Sequence, residues 1–223
     1  MSATQVRIVG LVGLGATLCF VIAFLLDPVP PGAGASSATV LSHALQYSGN
    51  DRAAGFLFGL SGAGLVVVIS GLRHWFLDIS AAPRWLGTAM LSGAILAGAM
   101  LVSASALFFT LGAHPLMAAD TASVLNDLVN YGFVFAGFGV LVTIVSATSI
   151  MLATYGPLQL LGRFGVGVIV LQIPYLLTAF FTSGPLQAGG IVSIIGFGAA
   201  GLWVFMVSVT LLWFARLAAA ASR

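Results

Sequence analysis

Residues 124–131 read Val-Leu-Asn-Asp-Leu-Val-Asn-Tyr, and a similar octet, Val-Leu-Ser-His-Ala-Leu-Gln-Tyr, stands at residues 40–47. Wound as helices, both place Val, Leu, the fifth and sixth residues and Tyr on one apolar arc. The opposite arc carries Asn126, Asp127 and Asn130 in one octet and Ser42, His43 and Gln46 in the other. Each octet is a short amphipathic segment leading into a long apolar run, the pattern of a membrane helix entered from an interface.

Composition points the same way. Of 223 residues, 60% are hydrophobic and only 5% charged, whereas about a quarter of a soluble domain is charged. With roughly 20 apolar residues needed per crossing, the chain is a single transmembrane domain, residues 1–223, holding six helices in an all-α polytopic fold. All seven basic residues are Arg, and they do not cluster, so no nucleic-acid partner is expected. Cys19 is alone, which excludes an internal disulfide and a Cys-based metal site within one chain.

The expected helices cover about 8–26, 53–72, 86–111, 128–153, 163–182 and 189–214. The first reads as a retained helix rather than a secretory signal: it is long, and it leaves through Asp27-Pro28-Val29-Pro30-Pro31 instead of a small-residue cleavage site. Ser36, Ser37 or Thr39 can cap the first octet, which Gly49-Asn50 would end. Asp120 and Thr121 can cap the second, which flows on into helix four. Pro174 should kink helix five. Six crossings put Arg7, Arg73, Arg84, Arg163, Arg216 and Arg223 on one side and Arg52 alone on the other. That asymmetry predicts a multi-pass plasma-membrane protein with both termini cytoplasmic.

The octets also suggest a parallel duplication of a two-helix unit, residues 38–112 and 122–183. Each unit has a turn with Pro and Leu-Gly, at Pro83 to Gly87 and at Pro157 to Gly162. The duplication would set His43 and Asp127 in equivalent places. Two readings of that arrangement stand. In one, a polar pocket opens to the outside, with His43 and Asp127 close enough to share a proton or ligate a metal. In the other, which is preferred, both polar arcs simply face water at the interface.

Gln172-Ile173-Pro174-Tyr175 is the most polar and irregular point inside the apolar runs, and broken helices often line transporter sites. The candidate ligand-binding residues are therefore His43, Gln46, Asn126, Asp127, Asn130, Gln172 and Tyr175. Gly59-Leu60-Ser61-Gly62 resembles the G-x-S-G of rhomboid proteases, but no His follows His114, so it reads as a small-residue helix contact. His43 and His114 with Asp120 or Asp127 could hold metal or haem, yet no His-x-x-x-His spacing supports this. Neither a catalytic set nor a metal site nor a cofactor is assigned.

The octet opening helix four, the turn Pro83-Arg84-Trp85-Leu86-Gly87 and the weaker Gly156-Pro157 to Gly162-Arg163 resemble a broad set of bacterial, largely actinobacterial, six-helix integral membrane proteins classed as domains of unknown function. That resemblance implies a fold and carries no site residues. The function expected from the polar groups is non-enzymatic binding or transport of a small apolar or amphipathic molecule, with membrane lipid as the surroundings. The alternatives are an accessory subunit packing on a membrane-protein partner or on its own copies, and an intramembrane hydrolase using His43 and Asp127.

Overall fold

A computed structural model describes residues 1–27, 30–79 and 82–221. Arg223, Pro28 and Val29 of the first connector, and Ser80 and Ala81 of the second lie outside the described residues. Six α-helices form among the described residues: α1 Ala3–Leu26, α2 Ser37–Ile79, α3 Arg84–Ala113, α4 Ala119–Leu152, α5 Pro157–Leu177 and α6 Ile191–Ala221. All six are long and apolar enough to cross a membrane, and the chain is a multi-pass membrane protein by that measure.

Each helix packs on its neighbours in sequence, and α1 packs on α6 to close the ring. The neighbours are antiparallel, as the glycine contacts show: Gly71 of α2 faces Val9 and Gly64 faces Ala16, while Gly55 faces Ser105 and Gly62 faces Leu101. Short connections between long helices leave little other choice. The Met1 ammonium consequently meets Asp78 at the far end of α2, at 2.7 Å. Arg7, Arg73, Arg84, Arg163 and Arg216 collect at that end of the bundle, and Arg52 at the other.

Small residues let the backbones approach where apolar transfer from water gives no drive. A Cβ added at Gly139 of α4 would stand 2.5 Å from the Gly93 carbonyl oxygen of α3, so this crossing admits no side chain. Gly62, from the G-x-S-G motif, packs on Leu101 and on the Gly98 carbonyl, a helix contact as expected. The Arg-rich half holds a core of Ile69, Leu72, Met90, Ile144, Met151 and Trp203, among others. The opposite half is aromatic. α4 is the most enclosed helix, with 61% of its best apolar window buried against 22% for α1.

Local signals are used in part. Ser2 and Gln5 form a reciprocal capping box at the start of α1, and Ser36 caps α2 by accepting the Thr39 N–H at 3.2 Å. Two expectations are corrected. Gly49-Asn50 does not end the first octet: α2 runs on for 43 residues and departs from helical dihedrals at Tyr47 instead (φ −115°, ψ 15°). A helical Gly costs only about 1 kcal/mol, Gly49 meets no crowding, and Asn50 uses its amide on the Leu26 carbonyl at 2.9 Å rather than on its own helix. Asp120 and Thr121 do not cap α4, which starts from Ala118 without a side-chain cap. Asp120 lies in the first turn, where its charge complements the helix dipole. Pro174 is accommodated near the end of α5, which tightens into a 3-10 turn at Thr178–Phe180.

Candidate functional site

The acids and the imidazole at the Arg-poor end are drawn together by the bend at Tyr47. His43 and Asp51 are eight residues apart, about 12 Å along a straight helix, yet His43 Nε2 lies 3.6 Å from Asp51 Oδ1. Asp27, at the C-terminal cap of α1, comes within 3.2 Å of the same nitrogen. The Asn50 bond to Leu26 fixes α1 against α2 one residue before Asp27, and the Tyr47 ring lies over the imidazole with centroids 4.8 Å apart. The side chains of Asp27 and Asp51 are each only 2% exposed, that of His43 14%. Burying two carboxylates around one imidazole is costly unless their charge is matched.

Asp27 also borders a cavity of about 80 Å³ walled by Phe24, Phe58, Phe108, Phe133, Tyr175 and Phe197, one aromatic ring from each of the six helices. Phe197 is the hub, touching the rings of Phe20, Phe24, Phe133 and Tyr175. Asn126, Asn130, Gly189 and Ser193 complete the polar part of the wall. A cavity of about 150 Å³ accepts benzene, so this one takes a few heavy atoms.

The cavity is roofed by two loops that bond to each other, Ala33 N–H to Ala188 O at 2.9 Å. The polar arc of the second octet fastens the first of these loops. Asn126 donates to Gly32 O at 3.1 Å, Asn130 to Pro31 O at 3.0 Å, and Asp127 accepts the Gly34 N–H at 2.8 Å. Gly34 and Gly189 both have left-handed dihedrals, φ 77° and 82°, which favour glycine. A side chain at Gly189 would also collide with Asn130 Oδ1.

The structure thus joins Asn126, Asn130 and Tyr175 of the expected site in one cavity wall. His43 is placed with Asp27 and Asp51, and Asp127 with Gly34. Gln46 is exposed and bonds to the neighbouring Tyr47 hydroxyl. Gln172 is fully buried and donates to Gly196 O at 2.6 Å, holding α5 to α6; it is not among the cavity-lining residues. Tyr175 donates its hydroxyl proton to Phe133 O, across α5 and α4. His114 and Asp120 are exposed. Sequence reasoning missed Asp27, Asp51 and the Phe rings as site residues. The acids did carry a signal, since Asp27 closes one apolar run and Asp51 opens the next.

No protein-family model, curated protein or solved structure matches this chain. The site's chemistry therefore has to be read from its atoms. Its rim is rich in acceptors: both Asn amide nitrogens are committed to loop carbonyls, which directs their oxygens elsewhere, and Asp27 Oδ2 is buried without a partner among the described residues. Such a wall suits a ligand with hydrogen-bond donors on its head and carbon behind.

Proposed function

We propose that this is a non-enzymatic plasma-membrane protein that binds a small amphipathic molecule bearing a hydroxyl or amine head. The apolar part enters the ring of six aromatic side chains, and the head meets Asp27, Asn126, Asn130 and Ser193. The observation that carries the reading is the coincidence, in one cavity, of an aromatic wall drawn from every helix and a buried carboxylate with an unpartnered oxygen. Aromatic faces near a carboxylate attract cationic and donor groups. Both termini are cytoplasmic in this reading, supported by the collection of Arg at one end of the bundle. The site then opens toward the outer face. A duplication of the units 38–112 and 122–183 belongs to the same reading and is supported by the paired octets.

The test uses the full chain in mild detergent with a series of short primary alkylamines and alcohols, binding being followed by thermal shift. Val129 lines the cavity and is buried, so Val129→Trp should fill it and abolish binding. Asp27→Asn should weaken amines about tenfold, the loss of roughly one charge-assisted bond. Equal binding by wild type and both variants would remove the cavity from the account.

A further inference from the structure

We propose that Asp27, His43 and Asp51 hold a divalent transition-metal ion, with zinc as the simplest representative. The three residues offer one ligand atom each, all within 4.8 Å of one another. Zinc bonds of about 2.0–2.2 Å set tetrahedral ligand atoms roughly 3.3 Å apart. The Nε2 separations of 3.2 Å to Asp27 and 3.6 Å to Asp51 bracket that value.

Hydrogen bonding leaves two of these atoms unaccounted for: His43 Nε2 and Asp51 Oδ1 are buried without a hydrogen-bond partner among the described residues, as is the second oxygen of Asp27, Oδ2. A protonated imidazole carries one positive charge against two carboxylates, and the cluster would keep a net negative charge in a dry place. A doubly charged cation with a neutral imidazole makes the sum zero. One nitrogen with two carboxylates selects zinc, manganese, iron or cobalt over calcium and magnesium, which prefer oxygen alone.

The surroundings are those of a positioned site. Tyr47 packs against the imidazole at a tilt of 35°, and Asn50 ties α2 to the residue before Asp27. This inference does not rest on the amphiphile reading, since it concerns the metal alone.

The experiment takes the full chain in detergent, strips it with EDTA, and adds zinc in competition with a chromophoric chelator, bound metal being counted by mass spectrometry. The expected result is about one zinc per wild-type chain, falling to a tenth or less in Asp27→Asn, Asp51→Asn and His43→Ala at the same free zinc. Asp127→Asn, altered on the loop side, should keep full loading. If any variant fails to fold, the wild type still decides: X-ray absorption of the zinc-loaded protein should show one imidazole among oxygen donors. Less than about a tenth of an equivalent in wild type, loading unaffected by all three substitutions, or a zinc shell without imidazole would each overturn the proposal.

Discussion

Asp127 on α4 and Gly34 in the first connector are joined by a 2.8 Å hydrogen bond, ninety-three residues apart in sequence. The carboxylate thus has a structural partner: it anchors the roof of the aromatic cavity. Asp127→Ala should lower stability by about 1 kcal/mol, since the bond is charge-assisted but partly exposed. Asp127→Asn keeps an acceptor oxygen and should lose less. Thermal unfolding of the two variants in one detergent measures the difference.

The α3–α4 crossing gives a steeper effect. Gly139→Ala would place a methyl 2.5 Å from the Gly93 carbonyl oxygen, and the helices must separate to admit it, at about 1–3 kcal/mol. Gly15→Ala on α1 meets no atom within 4 Å and should leave the unfolding midpoint unchanged or slightly raised.

Phe197 joins four other aromatic rings. Phe197→Ala should cost about 3 kcal/mol through the void it leaves, while Phe197→Leu should cost less. A xenon-pressurised crystal or a small-amphiphile titration would register the enlarged cavity as added occupancy.

Gln172 separates packing from binding. Its bond to Gly196 O lies between α5 and α6, and buried polar contacts in membranes average about 0.6 kcal/mol. Gln172→Leu should therefore shift stability by less than about 1 kcal/mol and leave alkylamine affinity as in wild type. A tenfold loss of affinity in that variant would place the ligand against Gln172, between α5 and α6, rather than in the aromatic ring.

Cys19 is the one cysteine in the chain, so a Cys19→Ala background permits single-site labelling. Cysteines introduced near Ser2 and near Ala219 should both react only after the cytoplasmic face is opened, and one introduced at Leu116 should react from outside. Reactivity of both ends from outside would reverse the reading of the Arg asymmetry, and reactivity from opposite faces would overturn the count of six crossings.

The number of helices was legible because apolar run length is a local property, and the collection of Arg at one end follows from that count once helices alternate. The polar arc of residues 124–131 was legible as a face but not in its direction: the preferred reading set it in water, whereas Asn126 and Asn130 are buried beneath the loop whose carbonyls they bond. The meeting of Asp27, His43 and Asp51 was not. It depends on the dihedrals of Tyr47, and neither Gly nor Pro marks that position. The aromatic wall was equally hidden: Phe24, Phe58, Phe108, Phe133, Tyr175 and Phe197 lie far apart in sequence, and their depths match only after six helices are docked.

The two sites also come into being at different moments of synthesis. Asp27, His43 and Asp51 all belong to the first fifty-one residues, and the helical hairpin that joins them can close as soon as α2 leaves the ribosome. The aromatic ring waits for Phe197. At roughly 5–20 residues per second, the interval is on the order of ten seconds. Throughout it the carboxylates have their imidazole beside them while the lid and the far wall of the cavity are still unmade.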